Sequence, residues 1–299
     1  MANGKLEALL AEWRQKRLLI LGLGVSNRPL ARLLLEAGCR VTGCDRTDRE
    51  KLDREVLDLE EQGLELRLGA GYLENLEADV VFRTPGMHPA NPALEALRRR
   101  GAAVTSEMEI FFQVCPCPVI AVTGSDGKTT TTTLLAEMLR AAGKTVWVGG
   151  NIGKPLLPEV GRMAPSDWAV VELSSFQLMD MDRSGHIAVV TNLAPNHLDV
   201  HKDMTEYVAA KENIFRYQRP GDIAVFNQDN DITRQQAGRA VGTVRLFSRR
   251  SEPEEGVFLR GEEILCRHNG QERRIMTTAD IRLPGVHNVE NYMAAIAAV

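Results

Sequence analysis

The chain has 299 residues, 44% hydrophobic and 25% charged, which is length for about two domains and the composition of a soluble globular protein. With 36 Lys and Arg against 40 Asp and Glu the net charge is −4, so no basic field invites nucleic acid or an anionic membrane, and no apolar run reaches spanning length. Five cysteines without framework spacing argue against a disulfide scaffold, and the start lacks a signal-peptide core, so the expected compartment is the cytoplasm.

Strand-like and helix-like segments alternate almost throughout, the pattern of an α/β fold with parallel sheets. In the first part the expected strands are 17–21, 40–44, 64–68, 79–83 and 102–105, and the expected helices include 29–37, 49–62 and 92–100. The first strand feeds Gly22-Leu-Gly-Val-Ser-Asn27, which resembles G-x-G-x-x-G with Asn27 in the third place. Asp45 ends the second strand about twenty residues on, where a dinucleotide fold places a ribose-binding acid. An ordinary tight turn with a capping Ser fits the same residues. Arg83-Thr-Pro-Gly86 follows the fourth strand and belongs to the same C-terminal sheet edge, where open α/β sheets bind ligands. Val114-Cys-Pro-Cys-Pro118 reads as a linker, because its prolines oppose helix and central strand alike. Cys115 and Cys117 lack a second pair at metal-binding spacing. The domain boundary falls between Thr105 and Pro118 and is drawn here at 106/107.

A second α/β series has strands at 119–122, 145–148, 168–173, 187–192 and 222–226. The first of them runs into Gly124-Ser-Asp-Gly-Lys-Thr129 and Thr130, followed by a helix with Leu134, Leu135, Met138 and Leu139. Strand, Gly-rich loop and helix aim several backbone N–H groups and a helix N-terminus at one spot. Lys128 adds a full charge and the Thr129 hydroxyl can hold Mg²⁺, so the segment is a polyphosphate cradle. Its spacing is two residues tighter than G-x-x-x-x-G-K-[ST], whose first Gly would fall at Val122.

Further candidates follow in chain order. Gly149-Gly-Asn-Ile-Gly153 is a flexible turn that carries the Asn151 amide. Glu172 ends a buried strand, where an acid beside a phosphate loop is placed to hold Mg²⁺. His197, with Asp199 and His201 close in sequence, can hold a metal or orient a carboxylate, though a loop His is often only a surface residue. Lys211 lies on a helix over 207–215 and would ordinarily be a solvated charge. Residues 243–283 read as a β-rich appendage of short strands. Asn288 and Asn291 share a helix face where an amide can read a purine edge, with helix capping as the plainer role for Asn288. The last helix runs out without Gly, Pro or a cationic turn, which suggests a truncated chain with exposed apolar surface around Met293 and Ile296.

Taken together, Thr123-Gly-Ser-Asp-Gly-Lys-Thr129, Gly150-Asn-Ile-Gly153, Glu172-Leu-Ser-Ser-Phe-Gln-Leu178, Asn196-His-Leu-Asp199, Ala210-Lys211 and His287-Asn-Val-Glu-Asn291 resemble the Mur ligases in order and spacing. These are ATP-dependent amide-forming enzymes of peptidoglycan precursor synthesis. The run from Glu172 to Leu178, with Gly22-Leu-Gly24 and Thr84-Pro-Gly86, looks like the D-glutamate-adding members.

The resemblance implies a Rossmann-like UDP-substrate domain over 1–106 and a P-loop-type ATP-binding central domain over 107–299. The family's third, C-terminal domain, which holds the incoming amino acid, would be absent, and ligation by this chain alone is then expected to be negligible. UDP-N-acetylmuramoyl-L-alanine would lie along Gly24, Val25, Ser26, Asp45, Arg46, Thr84, Pro85 and Gly86, with Asn151 and His197 as further contacts. Either Arg46 or Thr47 would touch uracil. ATP would use Gly124 to Thr130 and the Asn288–Asn291 pair, with Asn291 on the adenine. Catalysis would rest on Lys128, Glu172, His197 and Lys211. One Mg²⁺ would sit on Thr129 and Glu172. A second would sit on His197 and Lys211, the lysine being carbamylated because an ammonium cannot ligate a metal. The partners implied are small molecules only, these two and D-glutamate, acting on a monomer. Two rival readings are a Mur ligase that adds L-alanine or a diamino acid, and a nucleotide-binding sensor without chemistry.

Overall fold

The computed structural model describes residues 4–195 and 201–299. They form two compact units, Met1–Pro116 with Lys154–Met163, and Cys117–Gly153 with Ala164–Val299. The first unit thus runs ten residues past the boundary drawn at 106 and takes in a strap from the middle of the second part.

The first unit comprises α1 (Gly4–Trp13), β1 (Arg17–Leu21), α2 (Asn27–Glu36), β2 (Arg40–Asp45), α3 (Arg54–Glu61), β3 (Glu65–Leu68), β4 (Val80–Arg83), α4 (Pro92–Arg99), β5 (Ala103–Thr105) and α5 (Glu107–Val114). Its five strands are parallel in the order β3-β2-β1-β4-β5. β4 is buried at every position, as a central parallel strand must be. Leu19, Leu21 and Val81 pack with Leu94 and Leu97 of α4 in the core. The helix expected over 49–62 is divided. A 3₁₀ turn at Arg49–Lys51 gives way to extended Leu52 and Asp53, and Asp53 caps α3. Strand order reverses between β1 and β4, so the turns after these two strands share one edge of the sheet.

The strap carries a 3₁₀ turn, Leu157–Arg162, with Leu157 and Val160 buried. The Leu157 amide donates at 2.9 Å to Glu107 Oε1 at the start of α5. Burial pushes the Glu107 carboxyl up to about 7, against the pull of the Leu157 and Leu156 amides.

The second unit comprises β6 (Val119–Thr123), α6 (Lys128–Ala141), β7 (Val146–Gly150), β8 (Trp168–Glu172), α7 (Ser175–Leu178), β9 (Ile187–Val190), α8 (Met204–Arg216), β10 (Ile223–Asn227), α9 (Asp231–Ala237), β11 (Thr243–Ser248), β12 (Gly256–Arg260), β13 (Glu263–His268), β14 (Gln271–Thr277) and α10 (Val286–Ala298). The nine-stranded sheet runs β14-β13-β12-β11-β10-β9-β6-β8-β7. It is parallel from β7 through β12, and β13 and β14 add antiparallel. β6, β8 and β9 are aliphatic runs that pack with Leu135 and Leu139 of α6.

Met293 of α10 is wholly buried in the same cluster, and Ile296 packs against it. This corrects the expectation of exposed apolar surface there: α10 lies on α6 and β11 and covers that surface itself. Burial of a side chain of this size stabilises by roughly 1.5–3 kcal/mol. Among the described residues no helix is long and apolar enough to cross a membrane.

Candidate functional site

In the second unit the ends of β6, β8 and β9 are level, because Val122 pairs with Glu172 and Thr123 with Val190. The Gly-rich loop leaves β6 at this edge. Gly124 has φ +156° and Gly127, the residue before α6, has φ +78°, a left-handed conformation that favours glycine. Lys128 folds back over the loop, and its ammonium donates to the carbonyls of Gly124 at 3.0 Å and Ser125 at 2.8 Å.

Glu172 is 1% exposed and both its oxygens have partners. The Thr129 hydroxyl donates to Oε2 at 2.7 Å, and the Asn151 amide donates to Oε1 at 2.9 Å. The Asn151 backbone N–H also donates to the Glu172 carbonyl at 2.8 Å. A Cβ on Gly150 would lie 2.2 Å from that carbonyl, so glycine is required where the turn passes β8. The Thr129–Glu172 oxygen pair fits a hard cation: two neighbouring ligands on Mg²⁺, with bonds of about 2.0–2.1 Å, lie about 3 Å apart.

Lys211 is not a solvated helix charge. It is 2% exposed and donates to Thr123 Oγ1 at 3.0 Å and to the Gly124 carbonyl at 2.9 Å. Burial pulls its ammonium down to about 7, and the Lys128 charge adds to the effect. The fold thus gathers Lys128, Thr129, Asn151, Glu172 and Lys211 around one loop. His197 lies outside the described residues.

Beside the loop is a cavity of about 530 Å³ lined by Asp126, Gly127 and Thr130, by Thr191 and Asn192 after β9, by Phe247 of β11, and by His287, Glu290 and Asn291 of α10. The Asn291 amide donates to Asn288 Oδ1 at 3.0 Å, and Asn288 donates to the Pro284 carbonyl at 2.7 Å. Gly285, not Asn288, caps α10.

Several partners of the loop were not foreseen. Ser125 Oγ lies 2.9 Å from the Tyr207 hydroxyl, and Thr191 and Asn192 bond the Asp126 backbone. Each joins residues more than sixty positions apart, so no local pattern announces them. In the run 172–178, Ser174 and Gln177 form a capping box for α7. Ser175 Oγ lies 2.9 Å from His201 Nε2, and Phe176 stacks on the His201 ring. Part of that signature therefore holds α7 against the start of α8.

In the first unit a cavity of about 510 Å³ is lined by Gly22, Gly24, Asp45, Arg46, Thr47, Thr84 and Gly86, among others. It lies at the edge shared by the turns after β1 and β4. Asp45 Oδ2 accepts from the Leu23 N–H at 2.8 Å and Oδ1 from the Thr47 N–H at 2.9 Å. Burial alone would raise this carboxyl, but the two amides, with the Thr47 hydroxyl and the Arg46 charge, outweigh it and hold it below its ordinary range. Asp45 thereby braces the turn as well as facing the cavity.

Asn27 is buried and donates to the Gly22 carbonyl at 2.8 Å, so it ties the start of α2 to the first glycine. Ser26 directly precedes α2, and Val25 stands 74% exposed at the tip of the turn. A residue unforeseen here is Arg83. Wholly buried, it donates from Nη1 to the carbonyls of Thr84, Pro85 and Met87 and so shapes the Thr84-Pro85-Gly86 turn. A lone Arg at the end of an aliphatic strand was its sequence signal.

A family model described as the Mur ligase middle domain matches residues 122–299, more than half of the chain. A UDP-N-acetylmuramoylalanine–D-glutamate ligase of Acetivibrio thermocellus is 48% identical over 298 residues, which are 99% of this chain and 64% of that protein. One of Symbiobacterium thermophilum is 50% identical over 287 residues, 95% of this chain and 63% of that protein. The chain therefore spans a little under two thirds of the length of these relatives. Among solved structures, the UDP-N-acetylmuramate:L-alanyl-gamma-D-glutamyl-meso-diaminopimelate ligase from Neisseria meningitides shares the fold, with a TM-score of 0.61 at 22% identity, covering 95% of this chain and 92% of that one. By the family match, and with the phosphate-loop unit that carries it, this chain belongs to the Mur ligase family.

Proposed function

We propose that this chain carries the nucleotide and UDP-substrate sites of an ATP-dependent, ADP-forming ligase that adds D-glutamate to UDP-N-acetylmuramoyl-L-alanine. The observation that carries the reading is the gathering of Lys128, Thr129, Glu172 and Lys211 around one phosphate loop, in a chain about half identical to relatives named for that reaction.

The alanyl carboxylate is a poor electrophile. One of its oxygens attacks the γ-phosphorus of ATP, the bond to the bridging oxygen breaks, and ADP leaves. The amine of D-glutamate then attacks the acyl carbon and loses a proton, and inorganic phosphate departs with the C–O electron pair. Both steps bring anions together, so fixed positive charge and aligned donors dominate catalysis. Lys128, the Gly127 N–H and the N–H groups of the first turn of α6 hold the phosphates. Asn288 and Asn291 face the base. Mg²⁺ on Thr129 and Glu172, and a second ion on His197 and carbamylated Lys211, would supply the further charge that offsets this repulsion.

Carbamylation needs an uncharged amine, and a Lys211 pKa of about 7 leaves a large share of that form at neutral pH. The nitrogen attacks CO₂, sheds a proton and becomes a carboxylate-bearing ligand. The cavity after β1 and β4 suits the UDP moiety, with Gly24, Val25, Ser26, Asp45, Thr84, Pro85 and Gly86 along it and Arg46 or Thr47 at the uracil. Asn151 and His197 are the further substrate contacts. A monomer in the cytoplasm, where ATP is at hand, is the expected setting.

The test is phosphate release from ATP and Mg²⁺ with UDP-N-acetylmuramoyl-L-alanine and each amino acid in turn, on the protein at the full length of its relatives. D-Glutamate alone should stimulate release, and Lys128→Ala should abolish it. Stimulation by a diamino acid instead, by L-alanine with the unmodified UDP-muramate, or by none would refute the assignment.

A further inference from the structure

The phosphate loop is stitched to the chain that follows β9. Asn192 grips the backbone of Asp126 with both ends of its side-chain amide: Oδ1 accepts from the Asp126 N–H at 3.0 Å, and Nδ2 donates to the Asp126 carbonyl at 3.2 Å. The Ser125 N–H donates to the Asn192 carbonyl at 2.9 Å, and the Thr191 hydroxyl donates to the Asp126 carbonyl at 2.6 Å. The grip is anchored from behind, because the buried Asn227 amide donates to the Thr191 carbonyl at 3.0 Å. It is also close. A Cβ on Gly124 would lie 1.9 Å from Thr191 Oγ1.

The consequence is a division of the loop's donors. The amides of Ser125 and Asp126 are committed to Asn192. Among the described residues, those of Lys128, Thr129 and Thr130 have no backbone partner, as expected for the first turn of a helix. A polyphosphate on this loop therefore meets the α6 N-terminus and not the turn before it. A loop two residues shorter than the common P-loop has less turn of its own to keep its shape, and a side chain from another strand supplies the brace.

We propose that Asn192 is a positioning residue for nucleotide binding, which fixes the loop open before the phosphates arrive and restricts their seat to the amides from Gly127 onward. The proposal rests on the nucleotide reading of this loop given above.

Two measurements on the chain separate the possibilities. The first is amide hydrogen exchange without ligand. The Ser125 and Asp126 amides should exchange slowly and those of Lys128 to Thr130 fast. Asn192→Ala should release Asp126, whereas Asn192→Asp, which keeps the acceptor, should leave it protected. The second is calorimetry with a non-hydrolysable ATP analogue and Mg²⁺, with inorganic tripolyphosphate, and with adenosine. Asn192 also lines the cavity beside the loop, so Asn192→Ala should weaken the two phosphate ligands by about tenfold, the equivalent of one hydrogen bond's worth of order, and adenosine by clearly less, about threefold at most. A general loss of fold would instead weaken all three and lower the melting temperature of both variants alike. An Asp126 amide that exchanges as fast as Lys128, or phosphate affinities equal in Asn192→Ala and the parent chain, overturns the proposal. Failure of the parent chain to bind either phosphate ligand would sink the nucleotide reading, while the exchange pattern still decides whether Asn192 braces the loop.

Discussion

Replacing Gly127 with alanine probes how closely the phosphate loop and the last helix fit. Gly143, at the other end of α6, supplies the control. Both glycines are left-handed, with φ of +78° and +76°, so an alanine at either costs about 1–2 kcal/mol of backbone strain. They differ in surroundings. A Cβ at Gly143 meets nothing within 4 Å, whereas one at Gly127 would lie 2.2 Å from Asn291 Oδ1. The Asn291 side chain must then swing away and give up its hydrogen bond to Asn288, a further loss of about 0.5–1.5 kcal/mol. Gly127→Ala should therefore be less stable than Gly143→Ala by about 1 kcal/mol, read as a melting temperature about 2–4 °C lower in a unit of this size. The two should also part in binding. Gly127 and Asn291 line the same cavity, so calorimetry with an ATP analogue should show a loss for Gly127→Ala and parent-like affinity for Gly143→Ala. Equal melting temperatures together with equal affinities would refute the account of the contact between the loop and α10.

Two further outcomes are expected. Lys211→Ala in the protein at full length should abolish ligation, and short carboxylic acids added to the assay should restore part of it; an alanine variant as active as the parent would remove any catalytic role for the modified lysine. Glu107 has a folded pKa of about 7 against an ordinary 4.5, so between those values the folded state keeps a proton that the unfolded state has lost. Stability should fall as pH rises through that window, and Glu107→Gln should flatten the fall while keeping the acceptor for the Leu157 amide. Parallel melting curves for parent and variant between about pH 5 and pH 8 would show that burial of this carboxyl is not what sets the slope.

What the sequence disclosed depended on whether the signal was local. Aliphatic runs such as 119–122 and 187–190 declared the central strands, since a strand buried on both faces has no polar alternation to hide it. The phosphate loop and Glu172 were legible because strand, loop, Lys and helix lie in one stretch and a carboxylate closes a buried strand. α1 and α5 went unread, although they are no shorter than α2 and α4; α5 leans on Ser106 as its cap and on burial of Met108, Ile110 and Phe111. β9 was drawn two residues too long because Thr191 and Asn192 look like strand residues until the loop they serve is in view. The burial of Lys211 was likewise invisible, because its partners Thr123 and Gly124 lie far away in sequence. The strap at 154–163, with two prolines and a glycine, reads as an ordinary connection, although Leu156, Leu157, Val160 and Met163 are all buried. Its docking place, on α2 and on α5 beside the Glu107 carboxylate, shows only in the fold.

That strap limits how the protein can be taken apart. A cut after Pro116, where the linker invites one, would yield an N-terminal piece missing the segment that meets Glu107, and a C-terminal piece carrying Leu157 and Val160 with nothing to cover them. Anyone who wants the phosphate-binding half alone must replace 154–163 with a linker, because the parallel pair β7 and β8 needs a crossover of about a dozen residues or more. Anyone who wants the other half must graft the strap back onto it. The same interleaving bears on synthesis. The first unit cannot finish assembling when Pro116 has emerged, but must wait for the chain to reach Met163, by which time β6, α6 and β7 of its neighbour have emerged too.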